Sequence, residues 1–202
     1  LAQLGTRVVA VRCDVGDEGE VEAAFAATLD ALGQVDSCFA NAGVSGASPF
    51  TDMTLDEWRR VTRVNLDGAF LTLRAAARHM IERGEGGSLV GTASLAAIEG
   101  QAMGQHYAST KGGLVSMMRS LAVGMARYRI RANSILPGWI ETAMTEPALG
   151  WDKFQEKVLP RVPARRWGQP EDFAGVAVYL ASPASAYHSG DTLVIDGGYA
   201  VF

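Results

Sequence analysis

Short apolar runs alternate along this chain with longer segments in which apolar residues recur every three or four positions. The runs predicted as strands are Thr6–Arg12, Val35–Ala40, Ser88–Ala93, Ile130–Leu136 and Thr192–Ile195. The longer segments have the spacing of helices that bury one face. Because strands that alternate with helices form a parallel sheet covered on both sides, the pattern predicts an α/β fold of the doubly wound type. We expect residues 1–202 to form a single domain.

Residues that begin and end helices mark the longer segments. Thr54 and Glu57 have the spacing of a capping box, as do Asp17 and Glu20. Gly33 is placed to end the first helix, because glycine adopts the conformation that closes a helix. The predicted helices run from Asp17 to Gly33, from Thr54 to Arg83, from about Gln105 to Tyr128, and onward from Pro170.

Composition and charge restrict the classes of partner. The chain has 202 residues, of which 48% are apolar and 20% charged, which is ordinary for a globular domain. Its net charge of −4 predicts no binding to nucleic acid or to an anionic membrane. No apolar run approaches the roughly 20 residues that span a bilayer, and the first residues lack the layout of a signal peptide. We therefore expect a cytoplasmic protein. His79 and His188 lack partners at metal-ligand spacing, which predicts no metal site.

The stretch from Ser88 to Lys111 carries the residues with the clearest chemistry. Tyr107 and Lys111 stand four positions apart, so a helix places them on one face. A phenol with a pKa near ~10 is a poor acid or base at neutral pH, and a nearby ammonium lowers that pKa. Ser94 supplies a hydroxyl that can donate to a carbonyl oxygen. These groups suit proton exchange with a carbonyl or an alcohol, for which a nicotinamide cofactor would have to carry the hydride. Taken by itself, a Tyr-x-x-x-Lys pair is more often a solvated helix face.

Three groups of residues follow directly on predicted strands. Asn41–Gly43 comes after the second strand, Ser94 after the third, and Pro137 with Gly138 after the fourth. In a parallel sheet of this type, ligands bind beyond the carboxyl ends of the strands. The sequence therefore predicts that these groups line one cleft.

Taken together, these motifs resemble those of the short-chain dehydrogenase/reductase family. The resemblance extends over nearly the whole chain, in order and at the family's spacing. The matching positions are Asp14-Val15, Asn41-Ala42-Gly43, Asn65, Ser94, Tyr107-x-x-x-Lys111, Pro137-Gly138 with Thr142, and Asp196-Gly197-Gly198. The resemblance implies a Rossmann-like fold. It also implies an oxidoreductase that uses NAD or NADP to interconvert a small carbonyl compound and a secondary alcohol.

The resemblance further implies roles for four catalytic residues. Tyr107 would give a proton in reduction and take one in oxidation. Lys111 would lower the pKa of that phenol and hold the nicotinamide ribose, while Ser94 would orient the substrate oxygen. Asn65 would hold a water in a proton relay. The alternative for Asn65, which lies on the inner stripe of a predicted helix, is a core amide whose hydrogen bonds are satisfied within the protein.

The remaining matched residues would bind the cofactor, together with Tyr107 and Lys111. By the resemblance, the residues beside the ribose and the nicotinamide carboxamide are Asn41, Ala42, Gly43, Pro137, Gly138, Ile140 and Thr142. Asp14 and Val15 would meet the adenine, although Asp14 can equally be a turn residue at the entry to a helix. Where the family often has a second asparagine this chain has Ala40, which would weaken a structural hydrogen bond more than the chemistry.

One segment of the family pattern is missing. The family carries a Thr-Gly-x-x-x-Gly-x-Gly turn that approaches the cofactor pyrophosphate, and none stands before Thr6. By the resemblance about fifty residues, with two strands and two helices, are absent, so the fold is N-terminally truncated relative to the family. In the family's strand order 3-2-1-4-5-6-7, the run Thr6–Arg12 corresponds to strand three. Without strands one and two, it would lie roughly 14 Å from the nearest remaining strand, at ~4.8 Å per strand step.

Two explanations of this gap stay open. Either the sequence starts partway through a larger protein, which we favour, or the chain has rebuilt its front by moving a strand or borrowing from a partner. A separate alternative concerns the function, namely a catalytically silent truncated scaffold or oligomer subunit that does not bind cofactor.

Residues beyond the matched motifs carry further predictions. We expect the substrate between Trp139 and Trp167, under an apolar lid formed by Met144, Trp151 and Phe154.

Two predictions concern helix surfaces. His106 lies about 100° around the helix from Tyr107 and is expected to be exposed. The helices Thr54–Arg83 and Gln105–Tyr128 carry apolar residues beyond one face, which suits burial against another subunit. The residues concerned are Leu71, Met117, Met118 and Met125. Because the family commonly forms tetramers through these helices, we expect a homotetramer or a homodimer.

Overall fold

The computed structural model describes residues 5–202, so residues 1–4 of the predicted single domain lie outside the described part. At its centre is a parallel sheet of four strands in the order β1-β2-β3-β4. The strands are β1 (Ser37–Ala40), β2 (Gly87–Thr92), β3 (Ile130–Pro137) and β4 (Thr192–Ile195). Ser37 lies opposite Ser88, and Ser134 lies opposite Thr192. The last four predicted strands are therefore confirmed.

Helices cover both faces of this sheet, which confirms the predicted doubly wound α/β fold. The helices are α1 (Glu18–Leu32), α2 (Leu55–Thr62), α3 (Gly68–Arg83), α4 (Gln105–Met125), α5 (Glu146–Leu149), α6 (Asp152–Val158) and α7 (Ala174–Ala181). On one face, Leu73 of α3 and Leu114 of α4 pack in a core with Leu89 of β2. On the other face, Leu180 of α7 packs with Val90 of β2. Neighbouring residues of β2 thus enter opposite cores, as the alternation of side chains along a strand requires.

The first helices begin and end at the predicted signals. The Asp17 side chain accepts a hydrogen bond from the Glu20 N–H (2.9 Å) at the start of α1. Gly33 ends α1 with φ at 89°, a conformation that a residue with a Cβ rarely adopts. The Thr54 side chain accepts from the Glu57 N–H (3.2 Å) at the start of α2. These ends could be predicted because each depends on residues within one turn of the chain.

The long helix predicted over Thr54–Arg83 is interrupted by a π-helical turn. Arg63–Asp67 forms this turn between α2 and α3, and Asn65 lies at its centre, 1% exposed. A π turn inserts a residue into an otherwise regular helix, and apolar periodicity does not reveal it. The other long helices are also shorter than predicted, since α4 ends at Met125 and α7 begins only after a 3₁₀ turn at Pro170–Phe173.

The strand predicted over Thr6–Arg12 is wrong. These residues form no strand, and Val8, Val9 and Val11 are 44%, 40% and 42% exposed. A strand exists only through hydrogen bonds to a neighbouring strand, and within residues 5–202 β1 pairs with β2 alone. The apolar run has the composition of a strand, but composition does not say whether a partner lies beside it.

The apolar residues that the sequence places beyond one face of the long helices are covered to different degrees. Met118 is fully buried, Met117 and Met125 pack against the same core while partly buried, and Leu71 is half-buried. On the same helices Phe70 and Val123 are 46% and 82% exposed, and the homotetramer or homodimer stays a prediction. Within residues 5–202, none of the helices has both the length and the apolar character needed to cross a membrane.

Candidate active site at the carboxyl edge of the sheet

The carboxyl ends of β1, β2 and β3 lie at one edge of the sheet, since the three strands are parallel and adjacent. Asn41–Gly43 follows β1, Ser94 follows β2, and Gly138 follows β3. The Gly138 N–H donates to the carbonyl of Ile195 at the end of β4 (3.0 Å), which extends the same edge. The sheet therefore brings together the groups that the sequence places just beyond its strands.

The first turns of α4 bring Tyr107 and Lys111 to this edge. Lys111 is only 4% exposed, and its Nζ donates to the carbonyl of Thr92 at the end of β2 (2.7 Å). Nζ lies 5.6 Å from the centre of the Tyr107 ring, so the two side chains share a face of α4. Burial lowers the pKa of the Lys111 ammonium to about 8, because the charged form loses its water.

The pKa of Tyr107 responds to burial and to Ser94. Burial raises this pKa above its ordinary value, and a hydrogen bond with Ser94 opposes the rise. Lys111 is not among the causes of this shift, and its ammonium donates to the carbonyl of Thr92. The prediction that Lys111 lowers the pKa of Tyr107 therefore stays a prediction.

Ser94 is held by the start of a short turn. Its Oγ accepts a hydrogen bond from the Ala96 N–H (3.2 Å) and begins the 3₁₀ turn Leu95–Ala97. Because the backbone uses Oγ as an acceptor, the hydroxyl hydrogen stays available as a donor. Ser94 also lies close enough to Tyr107 to lower the pKa of the phenol. A single oxygen atom beside both could therefore accept a hydrogen bond from each.

Asn65 reaches the same edge from the π turn. Its Oδ1 accepts from the Val44 N–H (2.8 Å), and its Nδ2 donates to the Val44 carbonyl (2.9 Å) and to Thr110 Oγ1 (3.2 Å). The side chain thus fits the alternative stated above, a satisfied core amide, and the water-holding role stays a prediction. A Cβ built on Gly43 would lie 3.5 Å from both Asn65 Oδ1 and Lys111 Nζ. Gly43 is therefore the point at which the β1 loop, the π turn and α4 meet.

Asp14 and Val15 lie in the turn that precedes α1. An ion pair with Arg63 (2.7 Å) and a hydrogen bond from the Gly16 N–H (2.9 Å) lower the pKa of the Asp14 carboxyl. Both Asp14 oxygens thus have protein partners, which fits a turn residue. Val15 packs against Gly68, where a Cβ would lie 2.7 Å from Val15 Cγ2. The contact of this turn with an adenine stays a prediction.

The segment after β3 carries Ile140 and Thr142. Ile140 is 8% exposed, whereas Thr142 is exposed and its N–H donates to Thr145 Oγ1 (3.1 Å). A cavity of about 220 Å³ is bounded in part by Trp139, Ile140 and Asp196. Of the residues matched to the nicotinamide carboxamide, Ile140 therefore borders this cavity.

Aromatic packing determines which lid residues are available to a substrate. The rings of Phe154 and Trp139 are 4.8 Å apart in an edge-on arrangement, and Trp167 lies 6.3 Å from Phe154. Phe154 therefore anchors α6 to the segment after β3. Met144 and Trp151 are 45% and 57% exposed, so they are the lid residues free to meet a ligand. A mobile lid stays a prediction.

His106 was expected to be exposed, but it is completely buried. Its Nε2 lies 3.3 Å from Glu57 Oε1 on α2. The Glu57 carboxylate also accepts two hydrogen bonds from Arg60, so it does not complete the capping box predicted at Thr54. The sequence did hold a signal, because His106 precedes Thr110 by four positions and Thr110 precedes Leu114 by four, which is the spacing of one helix face.

Comparisons with known proteins agree with this arrangement. The family model described as enoyl-(acyl carrier protein) reductase matches residues 1–200. The chain is 39% identical over 201 residues to the L-rhamnose 1-dehydrogenase (NAD(P)(+)) of Azotobacter vinelandii. This match covers 100% of this chain and 78% of that protein.

Two solved structures are similar over most of the chain. A short-chain type dehydrogenase/reductase from Mycobacterium marinum has a TM-score of 0.92 at 36% identity, over 98% of this chain and 78% of that one. A gluconate 5-dehydrogenase from Burkholderia cenocepacia, in complex with NADP and tartrate, has a TM-score of 0.90 at 35% identity, over 94% of this chain and 74% of that one.

Proposed function

This chain belongs to the short-chain dehydrogenase/reductase family, and from that membership we propose that Tyr107 is the proton donor and acceptor of its reaction. The protein is an oxidoreductase that uses NAD or NADP, and its reaction interconverts a carbonyl compound and a secondary alcohol. One observation carries the role of Tyr107: its ring centre lies 5.6 Å from Nζ of the buried Lys111, at the edge of the sheet where Ser94 follows β2.

The proton steps follow from the chemistry of these side chains. In reduction, the neutral Tyr107 hydroxyl gives its proton to the substrate oxygen while the Ser94 hydroxyl donates a hydrogen bond to the same oxygen. In oxidation, the Tyr107 phenolate takes the proton of the alcohol. When bound, the nicotinamide supplies the hydride in reduction and accepts it in oxidation. Burial raises the pKa of Tyr107, which favours the neutral hydroxyl that donates the proton in reduction.

Lys111 has the free donor hydrogens that binding a cofactor ribose requires. Of its three donor hydrogens, one goes to the carbonyl of Thr92, and no other partner for Nζ is found within residues 5–202. The remaining donors lie next to Gly43, where the absence of a side chain leaves room for a ligand. Asn41 is exposed at the same edge. We infer that these residues hold the ribose hydroxyls, and that Lys111 keeps its charge below a pH of about 8.

The names of the relatives suggest a class of substrate. The Azotobacter vinelandii protein is a dehydrogenase of L-rhamnose, and the Burkholderia cenocepacia protein is a dehydrogenase of gluconate with tartrate bound. We infer that this enzyme acts on a sugar or a sugar acid, whose several hydroxyls offer hydrogen bonds to the polar groups at the sheet edge.

A pair of tyrosine variants tests the role of Tyr107. Reduction and oxidation are measured in the natural full-length protein with both cofactors, using L-rhamnose, gluconate and the corresponding oxidised sugars. We expect Tyr107→Phe to lower kcat by at least about 10³-fold in both directions, because no nearby group replaces the lost proton. Tyr128→Phe, which removes a hydroxyl bonded to Arg127 just after α4, serves as the matched control and should keep full activity. Undiminished turnover in Tyr107→Phe would remove this residue from the mechanism.

Calorimetric titration separates this proposal from the alternative of a silent scaffold. Micromolar binding of NADH or NADPH supports the enzyme, since Lys111 and Asn41–Gly43 then hold a cofactor. Absence of binding to the natural full-length protein would favour a scaffold that keeps the fold without the chemistry.

A further inference from the structure

We propose that His106 is a positioning residue that locks the first turn of α4 to the loop leading away from Asn41–Gly43. It acts through Glu57 and Arg60 on α2. The inference rests on the proposed function, because the residue that the lock places is Tyr107, the next residue of the helix.

The start of α4 needs such a lock because it has no side-chain cap. Its N-cap residue is Gly104, which makes no side-chain hydrogen bond to the first turn. Without such a cap, the residues at the start of the helix do not themselves determine where its first turn lies. The placement of the first turn therefore depends on contacts with other elements, and His106 is the fully buried side chain of that turn.

The contact with Glu57 fixes the His106 ring. Arg60 binds the Glu57 carboxylate through two nitrogens (2.7 and 2.8 Å), and these bonds, with a smaller contribution from His106, hold the pKa of Glu57 at about 2. An ionised carboxylate only accepts hydrogen bonds, so His106 Nε2, 3.3 Å from Glu57 Oε1, carries the hydrogen. The other ring nitrogen, Nδ1, is buried and has no partner in the described part of the chain. The Nε2 contact is thus the polar tie that orients the ring.

The same three side chains hold the loop after Gly43. Arg60 Nη2 donates to the carbonyl of Ser45 (2.8 Å). Gly46 lies so close that a Cβ there would be 2.3 Å from Glu57 Oε1 and 2.9 Å from His106 Nε2. The loop backbone is therefore pressed against the cluster, with no room for a side chain between them.

Four further hydrogen bonds connect this loop, directly or through Asn65, to α4 and to the segment just before it. The Val44 N–H and carbonyl both bond to the Asn65 side chain, which also donates to Thr110 on α4. At the far end, the Ser48 N–H donates to the carbonyl of Met103, just before the helix begins. The loop and the first turns of α4 thus behave as one unit, and His106 is the member of that unit adjacent to Tyr107.

Loss of this lock should lower the rate more than the affinity. A displacement of about 1 Å between reacting groups costs up to about 10²-fold in rate. We expect His106→Leu, which fills the space without the Nε2 contact, to lower kcat by about 10- to 100-fold with KM changed by less than about threefold. His106→Gln places an amide N–H near the position of Nε2 and should restore kcat to within about threefold of the wild type.

The experiment uses the natural full-length protein and two measurements. Steady-state kinetics gives kcat and KM, and hydrogen–deuterium exchange reports the amides of residues 43–48 and 104–110 without any cofactor. His79→Leu is the matched control, since His79 Nε2 accepts from the Val35 N–H (3.3 Å) far from α4. We expect faster exchange in both segments for His106→Leu and wild-type behaviour for His79→Leu.

A second variant keeps the test decisive if His106→Leu does not fold. Glu57→Ala, at a partly exposed position, removes the partner of His106 and should reproduce the loss of kcat. The proposal is wrong if Glu57→Ala keeps kcat within about twofold of the wild type, or if His106→Gln is as impaired as His106→Leu. Failure of the proposed function looks different, because Tyr107→Phe would then stay active.

Discussion

Replacement of Lys111 by methionine should stabilise the folded protein at neutral pH while it removes the chemistry. Lys111 is 4% exposed, and burial lowers its pKa from 10.5 to about 8. Between these two values the unfolded chain binds a proton that the folded protein does not, so the stability of the wild type rises with pH across this window. Below pH 8 both states are protonated, and the folded protein bears the full cost of a buried ammonium.

The structure sets the size of this effect. The difference between 10.5 and about 8, at ~1.36 kcal/mol per pH unit, makes the buried charge cost about 3 kcal/mol at pH 7. Methionine does not carry that cost, but it loses the Nζ hydrogen bond to the carbonyl of Thr92, worth about 1 kcal/mol. We therefore expect Lys111→Met to be more stable by about 2 kcal/mol at pH 7, which raises the Tm by roughly 4–8 °C.

The assay compares denaturation of the wild type and Lys111→Met in guanidinium chloride from pH 6.5 to pH 10. The difference in the free energy of unfolding should shrink as the pH rises above 8 and change sign near the top of this range, because the wild type then folds with a neutral amine. Lys157→Met, at an exposed position, controls for loss of a lysine at the surface. A Lys111→Met variant that is less stable than the wild type at pH 7, or a difference that does not depend on pH, would refute the reasoning.

Three further predictions follow from the same edge of the sheet. Gly46→Ala should destabilise by about 1–3 kcal/mol in chemical denaturation, whereas Gly124→Ala, with nothing within 4 Å, should be neutral or stabilise by up to about 1 kcal/mol. Since burial raises the pKa of Tyr107, the oxidation rate should increase up to about tenfold per pH unit between pH 7 and 9, and the reduction rate should not. Asn65→Leu leaves two backbone groups of Val44 without partners and should lower the free energy of unfolding by about 2 kcal/mol or more.

The parts of the fold that depend on nearby residues could be predicted from the sequence. Asp17 and Thr54 begin their helices because each side chain accepts from an N–H three positions on, and Gly33 ends a helix through its own backbone conformation. The strands from Ser37 onward were recognisable because a short apolar run between two helices is buried most simply as a strand of the central sheet. The grouping of Asn41–Gly43, Ser94 and Gly138 followed from the rule for parallel sheets and needed no knowledge of side-chain contacts.

The parts that depend on distant residues could not be predicted. Thr6–Arg12 has the composition of a strand, but a strand needs a neighbour, which composition does not supply. The burial of His106 depends on α2 lying against α4, and Asn65 in the π turn bonds through its side chain to Val44. For His106 and for Asn65 the partner lies more than 20 positions away in the sequence.

The position of Lys111 depends both on its spacing from Tyr107 along α4 and on the packing of α4 against β2. Its distance of four positions from Tyr107 places Nζ near the ring, and that much is local. What the ammonium does there is decided by Thr92, which meets Nζ because β2 ends beneath α4. Burial in this position removes Nζ from water and lowers its pKa, while the bond to Thr92 leaves its other donors beside Gly43. The burial that places Lys111 for chemistry is therefore what destabilises its charged form, so a variant that removes the buried charge also loses the chemistry.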